Sequence, residues 1–214
     1  MKVLIACEYS GTVRDSFIAM GHDVMSCDLL PTDKPGPHYH GNVLDIINDG
    51  WDLMIAHPPC TYLSVSGMHW TTRGLRNPQL TEDALEFVKQ LMNAPVSRIA
   101  IENPISVISS KIRKPDQIIQ PYWFGDSASK STCLWLKNLP KLKPTNMVDK
   151  GEFKEWIDKK TGKNKRQALW FFEALQQAKN SAERRTLRSK TFKGMAEAMA
   201  TQWTNNYTIQ NKLF

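Results

Sequence analysis

The sequence is poor in cysteine, and the few it has lack the short spacings of structural metal sites. The four cysteines are Cys7, Cys27, Cys60 and Cys133, and no C-x-x-C pair occurs among them. This spacing argues against a disulfide framework or a zinc cluster. The five histidines do not cluster with acidic residues in a ligand pattern either. We therefore predict that the protein has no metal site.

Long hydrophobic runs are also missing. No apolar stretch approaches the roughly 20 residues that cross a bilayer, and the mean hydropathy is -0.43. The apolar run near the N-terminus is too short for a signal peptide. We therefore predict a cytoplasmic protein without membrane contact. With 214 residues, of which 41% are hydrophobic, the chain suits one main domain, and no internal repeat is visible.

Positive charge is scarce in the first part of the chain and abundant in the second. Residues 1–129 contain ten Lys and Arg against fourteen Asp and Glu, whereas residues 130–193 contain seventeen against six. The basic part also carries aromatic residues, including Trp156 and Trp170. This combination favours a nucleic-acid partner over the alternative, which is a solvated lysine-rich surface.

Hydrophobic periodicity predicts strands that alternate with helices. We predict strands at 2–7, 23–27, 42–43, 52–56, 98–101, 117–120 and 133–136. We predict helices at 12–20, 80–93, 166–179 and 195–203. The stretches at 30–41 and 61–79 are predicted loops, and residues 137–165 are predicted to be irregular. Near-continuous apolar strands in strand–helix units indicate an α/β fold with a doubly wound, mostly parallel sheet.

Three residues that can do chemistry follow predicted strands. Cys60 follows Pro58 and Pro59, Glu102 follows the strand at 98–101, and Asp28 follows the second strand. The carboxyl ends of parallel strands share one edge, where ligands bind in open α/β sheets. Cys60 is a candidate nucleophile and Glu102 a candidate proton donor or acceptor, although a helix-capping carboxylate is the alternative for Glu102. Asp28 has the spacing of a ribose-binding acid, but it is also a common turn residue.

These segments resemble motifs of the cytosine-C5 DNA methyltransferases. Pro58-Pro59-Cys60-x-x-x-Ser64-Val65-x-Gly67 resembles their catalytic loop, and Glu102-Asn103-Pro104 resembles their Glu-Asn-Val motif. Tyr9-Ser10-Gly11 with Asp28 is similar to their cofactor turn and ribose-binding acid, and Gly41-Asn42-Val43 to the segment that contacts the cofactor's adenine. Residues 194–200 are similar to the last family motif. The motifs follow the family's order, and the whole chain resembles small members encoded by phages and prophages.

The resemblance implies a Rossmann-like fold of the S-adenosylmethionine-dependent methyltransferase type, with S-adenosyl-L-methionine as cofactor. It implies catalytic roles for Cys60, Glu102, Pro59 and Ser64. It implies cofactor contacts for Tyr9, Ser10, Gly11, Asp28, Asn42, Val43 and Pro58. It implies contacts with substrate or nucleic acid for Asn103, Lys130, Thr132, Arg73 and Arg76. A phage-encoded member would act in the cytoplasm of its bacterial host, on DNA.

The chain also departs from the family pattern. Cys7-Glu8-Tyr9-Ser10-Gly11 stands where the family has Phe-x-Gly-x-Gly, and Lys130-Ser131-Thr132 stands where an arginine-bearing motif is expected. No large target-recognition domain is present. We predict a catalytic core at 1–136, a basic segment for nucleic-acid contact at 137–193 and a helix that returns to the core at 194–214. This organisation favours low sequence specificity or a substrate other than duplex DNA.

The favoured function is methyl transfer to C5 of cytosine in DNA through a covalent Cys60 intermediate. Three alternatives stay open. The first is modification of a free cytosine nucleotide. The second is methylation of an exocyclic amine, because His57-Pro58-Pro59 resembles the Asn-Pro-Pro-aromatic loop of such enzymes. The third is a nucleic-acid-binding module that kept the fold without the chemistry, which the altered first motif favours.

Overall fold

The computed structural model describes residues 1–180, 183, 186, 187, 189 and 191–210. The strands of this part are β1 (Lys2–Ala6), β2 (Asp23–Asp28), β3 (His38–His40), β4 (Leu53–Ala56), β5 (Arg98–Pro104), β6 (Gln117–Ile119), β7 (Thr132–Lys137), β8 (Phe153–Ile157) and β9 (Asn164–Ala168). Its α-helices are α1 (Thr12–Ala19), α2 (Val65–Thr72), α3 (Gln79–Met92), α4 (Ile108–Lys111), α5 (Leu169–Gln177) and α6 (Lys193–Gln210). Residues 181, 182, 184, 185, 188, 190 and 211–214 of the predicted segments 137–193 and 194–214 lie outside the described residues.

Seven strands form one sheet in the order β3-β2-β1-β4-β5-β7-β6. The first five of these pair in parallel, whereas β7 runs antiparallel to both β5 and β6. The predicted α/β fold with a mostly parallel sheet is therefore confirmed. The strand order reverses between β1 and β4, and such a switch point opens a crevice beyond the carboxyl ends of the two strands.

Helices cover both faces of the sheet. The central strands β1 and β4 are buried almost throughout, as their continuous apolar runs require. On one face, α3 contributes Leu85, Val88 and Leu91 to the core. On the other face, α1 packs against α6, with Phe17 and Met199 in the same apolar cluster. Because both faces are covered, polar side chains can gather only at the ends of the strands.

A β-hairpin occupies part of the segment that was predicted to be irregular. Strands β8 and β9 pair antiparallel from Phe153 opposite Ala168 to Ile157 opposite Asn164. In the turn, the Asp158 carboxylate accepts hydrogen bonds from Thr161 and from the Lys165 ammonium group. The periodicity missed this hairpin because both strands are largely exposed and carry no clear apolar alternation. The helix predicted from residue 166 accordingly begins at Leu169.

Two further predictions were wrong at the local level. Residues 42–43 do not form a strand; the Asn42 side chain accepts a hydrogen bond from the Leu44 amide and caps a 3₁₀ turn at Val43–Asp45. The neighbouring strand is β3, inside the predicted loop at 30–41. The predicted loop at 61–79 contains α2, which Ser64 caps by accepting a hydrogen bond from the Gly67 amide. Short capped turns of this kind have too few residues to show a period.

Candidate active site

The polar residues singled out from the sequence gather at one edge of the sheet. Because β1, β4 and β5 are parallel and in register from Ala6 to Ala56 to Ile101, the residues that follow them lie side by side. The antiparallel strand β7 begins at the same edge, with Thr132 opposite Pro104. The loops of four strands therefore converge there.

The loop that follows β4 holds Cys60 in a tight turn. The His57 amide donates to the Ala6 carbonyl, which continues the pairing of β4 with β1. The Cys60 carbonyl then accepts hydrogen bonds from the amides of Leu63 and Ser64. Cys60 is half-buried, whereas Cys27 and Cys133 are buried. Burial raises the pKa of the Cys27 thiol to about 12 and that of Cys133 to about 11.

Glu102 lies at the end of β5, almost entirely buried, and it faces a histidine. Its Oε2 atom is 3.5 Å from Nδ1 of His57. Burial by itself would raise the pKa of Glu102, but the hydrogen bond from His57 and the positive charge of Lys130 together hold it below the ordinary value. The site thus keeps a buried carboxylate ionised beside the cysteine loop.

Asn103 joins β5 to the cysteine loop. Its Nδ2 atom donates a hydrogen bond of 2.8 Å to the Pro58 carbonyl, and both groups are buried. The Oδ1 atom of the same side chain is buried without a hydrogen-bond partner in the structure. Pro58 is buried and Pro59 is exposed. This bond fixes the distance between the two strand ends that carry Glu102 and Cys60.

A second set of contacts holds the far side of the cysteine loop. The Arg76 guanidinium donates to the Thr61 carbonyl at 2.9 Å and lies 4.9 Å from the centre of the Tyr62 ring. Gly67 passes so close to Thr61 that a Cβ atom there would lie 2.2 Å from the carbonyl oxygen. Arg76, expected at the nucleic acid, thus braces the loop, while Arg73 is exposed at the end of α2.

Thr132 is the first residue of β7, and Lys130 lies just before it. The Lys130 amide donates to the Gln120 side chain, and its charge lowers the pKa of Glu102. Thr132 is fully buried, and its hydroxyl donates to the Lys130 carbonyl at 3.2 Å. Lys130 is therefore the basic group of β7 that acts on the buried carboxylate, and Thr132 shapes the turn behind it.

The turn after β1 is built around Glu8. The buried Glu8 carboxylate accepts hydrogen bonds from the Ser10 hydroxyl and from the Val13 amide at the start of α1. The Ser10 hydroxyl is therefore engaged in a hydrogen bond within the turn. Gly11 adopts a φ of 70°, and Tyr9 lies near the C-terminal segment, its hydroxyl 3.4 Å from that of Ser189.

The loop after β2 carries the second half of the candidate cofactor site. Burial raises the pKa of Asp28, whose Oδ1 atom accepts from the Leu30 amide. Val43 is buried, whereas Asn42 is exposed and caps the 3₁₀ turn with its side-chain oxygen. The Asp28 carboxylate can accept hydrogen bonds from hydroxyl groups, and exposed Leu29 and Leu30 beside it suit an apolar ring. These residues fit the ribose and adenine of a nucleoside cofactor.

Three residues of this edge, His57, Glu8 and Arg14, were not predicted as site residues from the sequence. His57 and Glu102 are the first polar residues after the apolar runs of neighbouring strands, so aligning the two runs would have paired them. Glu8 gave no signal, because a helix-capping carboxylate follows no fixed pattern across a turn. Arg14 is fully buried and donates to the Ser26 and Thr32 hydroxyls, which fastens the loop after β2 onto α1.

Two further features concern metal binding and membrane crossing in the described ranges. In these ranges no group of three or more His, Cys, Asp or Glu side chains is arranged to hold a metal ion. Within the same part of the chain, no helix has both the length and the apolar character that crossing a bilayer requires. The groups of the site that can do chemistry are the Cys60 thiol, the Glu102 carboxylate, the His57 imidazole and the Asn103 amide.

Comparisons with known proteins agree with the architecture. No protein-family model and no curated protein matches the chain. The methyltransferase EhMeth of Entamoeba histolytica is similar in structure, with a TM-score of 0.55 and 10% identity over 97% of this chain and 98% of that one. A structure from E. coli, described as a DNA modification methyltransferase encoded within a prophage, matches with a TM-score of 0.44 and 16% identity over 82% of this chain and 64% of its own. The first likeness defines the fold as the Rossmann-like methyltransferase type.

Proposed function

We propose that the protein transfers a methyl group from S-adenosyl-L-methionine to C5 of cytosine in DNA. The observation that carries the proposal is the buried bond between Asn103 and the Pro58 carbonyl, which joins the strand end of Glu102 to the loop of Cys60. A nucleophile and an ionised carboxylate held at a fixed separation are what covalent activation of a cytosine ring requires. The resemblance to cytosine-C5 methyltransferases assigns the same two residues.

The chain's own groups supply the activation of the base. The Cys60 thiolate adds to C6, the C5–C6 π electrons shift towards C4, and N3 takes up a proton. Glu102 accepts a hydrogen bond from the exocyclic amino group and passes to N3 the proton that neutralises the negative charge developing there. The cofactor supplies the methyl group that C5 takes. Loss of the C5 proton and of the proton taken up at N3 then restores the ring, and the Cys60 thiolate is expelled.

The proposed cofactor site is the crevice at the β1–β4 switch point. Asp28 would accept hydrogen bonds from the ribose hydroxyls. Val43 and the backbone at Tyr9, Ser10 and Gly11 would line the nucleoside. Asn42 would offer its amide nitrogen, since its oxygen caps the 3₁₀ turn. Because the Glu8 carboxylate already accepts from the amides at the start of α1, those amides would not bind the cofactor. The side chains and the backbone of the loops would hold it instead.

DNA is the proposed polymer because the β8–β9 hairpin is basic and anchored beside Lys130. The hairpin and its turn carry Lys154, Lys159, Lys160, Lys163, Lys165 and Arg166. Trp156 is 39% exposed on β8, and exposed aromatic rings stack on unpaired bases. The Trp170 indole at the start of α5 donates to the Ser129 carbonyl, next to Lys130. A strand bound along the hairpin would thus run towards the site.

The test is mass spectrometry of nucleosides from DNA of cells that express the protein. We expect raised 5-methylcytosine with the wild type, none with Cys60→Ser, and the wild-type level with Lys89→Ala on α3 as a matched control. Raised N4-methylcytosine or N6-methyladenine would instead assign the amine-methylating alternative. Modification confined to the nucleotide pool would assign a free-nucleotide substrate, and no modification with retained DNA binding would assign the binding module.

A further inference from the structure

His57 is the buried imidazole of the candidate site, and the family resemblance assigns it no role. Its side chain is 11% exposed, and its Nδ1 atom is 3.5 Å from the Glu102 carboxylate. The Nε2 atom is buried without a hydrogen-bond partner in the structure. A buried imidazole nitrogen without a partner is costly. The surroundings of His57 therefore provide a partner for Nδ1 and none for Nε2.

His57 and Lys130 are the two basic groups that act on the Glu102 carboxylate. Lys130 contributes a positive charge from the start of β7, and Glu102 contributes the negative charge of β5. The Glu8 carboxylate after β1 is engaged with the amides of α1. Burial raises the pKa of the Cys7 and Cys133 thiols, so both are neutral at neutral pH. Cys60, on the same loop as His57, is the group that has to lose a proton for the chemistry.

We propose that His57 is a positioning residue that stores the proton which Glu102 delivers to N3 of the target cytosine. The inference rests on the proposed function, since it assigns the source of the proton in that reaction. Geometry carries it: Nδ1 of His57 lies 3.5 Å from Oε2 of Glu102, at the end of the strand that the Asn103–Pro58 hydrogen bond joins to the cysteine loop. Protein groups with a pKa near neutrality are the efficient proton donors at that pH, and imidazole is the usual one.

The proton and charge balance of this relay closes. Before addition, the thiolate of Cys60 carries a negative charge and the imidazolium of His57 a positive one. As the S–C6 bond forms, a proton moves from Nδ1 to Glu102 and from Glu102 to N3, so that the thioether sulfur, the imidazole and the ring are all neutral. After methyl transfer the C5 proton leaves to water and the S–C6 bond breaks. The N3 proton then returns through Glu102 to His57, which regenerates the starting state.

The test compares His57→Gln with His22→Gln. His22 lies in the turn before β2, and its Nε2 atom is also buried without a partner, so it is a matched control. Two quantities are measured against pH on a cytosine-containing oligonucleotide: kcat for methylation, and exchange of the C5 hydrogen with solvent in the absence of cofactor. Exchange reports the addition step alone. His57→Asn is prepared in parallel, so that one poorly folding variant does not decide the result.

We expect His57→Gln to lower both rates about 10²-fold, to move the alkaline limb of both profiles to lower pH, and to leave the KM for the cofactor unchanged. The limb moves because Glu102 must then keep the proton alone. His22→Gln should match the wild type. Unchanged profiles, or a uniform loss at every pH, would overturn the proton-storing role. Absence of both methylation and exchange in the wild type would overturn the proposed function itself.

Discussion

At the scale of single residues, the site combines groups whose protonation the fold shifts in opposite directions. Burial dominates at Asp28 and raises its pKa, whereas His57 and Lys130 overcome burial at Glu102 and lower its pKa. The Asp28 carboxylate is destabilised by burial, so a ligand that donates hydrogen bonds to it would stabilise it. The Glu102 carboxylate is stabilised by His57 and Lys130, so it suits a substrate edge that binds to a carboxylate already ionised. The two carboxylates thus lie in environments that shift their pKa values in opposite directions.

Asp28→Asn should separate binding from stability. Because the folded-state pKa of Asp28 is raised, its contribution to stability falls as pH rises from the ordinary aspartate value through the raised one. Asparagine removes this loss and still accepts from the Leu30 amide. We expect an unchanged or higher Tm at pH 7, and S-adenosylmethionine affinity about 10-fold to 100-fold weaker, as for a lost charged hydrogen bond of about 1.5–3 kcal/mol.

Thermal unfolding and calorimetric titration measure the two effects of Asp28→Asn. Asp23→Asn, an exposed aspartate at the opposite end of β2, is the matched control and should change neither quantity. A lower Tm together with unchanged cofactor affinity would show that Asp28 serves the fold and not the cofactor.

At the scale of elements, two sets of contacts hold the cysteine loop, one at its beginning and one at its middle. Asn103 fixes its beginning to β5, and Arg76 and Gly67 fix its middle at the Thr61 carbonyl. The loop also pairs with the segment after β5, where the Val107 amide donates to the Leu63 carbonyl. Displacement of either side would move the Cys60 sulfur relative to Glu102. A misplacement of about 1 Å between reacting groups can lower a rate about 10²-fold.

Gly67→Ala should therefore reduce activity more than its distance from Cys60 suggests. The added methyl group would meet the Thr61 carbonyl at 2.2 Å, so the backbone has to shift. We expect a stability loss of about 1–3 kcal/mol in urea unfolding and a clear fall in 5-methylcytosine formation. His69→Ala, exposed on the same helix, is the control. Wild-type activity in Gly67→Ala would mean that the loop does not need this close packing.

Some elements were accessible from the sequence and others were not. The apolar runs of β1, β4 and β5 indicated buried parallel strands, and the structure brings the motif residues at their ends to one edge of the sheet. The direction of β7 carries no signal within its own residues, because a buried strand reads alike in either orientation. The hairpin and α2 were missed because their strands and turns are exposed or short. The link between Asn103 and Pro58 is a long-range hydrogen bond, which periodicity cannot reveal.

At the scale of the whole molecule, negative and positive charge occupy different regions. The acidic first part builds most of the sheet, and the basic part begins at Lys130 and includes the hairpin. The base of the hairpin is fastened to the core, since the Ser129 hydroxyl donates to the Lys150 carbonyl and Gly151 packs closely against Ser127. A bound polyanion would therefore be fixed relative to the catalytic edge.

The double variant Lys159→Ala with Lys160→Ala should weaken DNA binding through charge alone. Both residues lie in the turn that Asp158 holds together, so the hairpin should stay folded. Each neutralised phosphate contact lowers the salt slope of the binding constant, and two should reduce it by about 1.5. Fluorescence anisotropy with a labelled oligonucleotide at several salt concentrations measures this. Lys89→Ala with Lys114→Ala is the control, and an equal loss there would refute a hairpin-specific contact.

The packing of α6 on α1 also has a consequence for biosynthesis. Val13 and Phe17 in α1 are covered by Met195, Met199 and Trp203, which are translated some 180 residues later. At about 5–20 residues per second, the nascent chain carries this bare apolar face on the ribosome for on the order of 10 s or more. During that time the face is available to trigger factor-like chaperones and to other nascent chains. Synthesis speed and chaperone supply, more than mutation at the site, should govern the yield of folded protein.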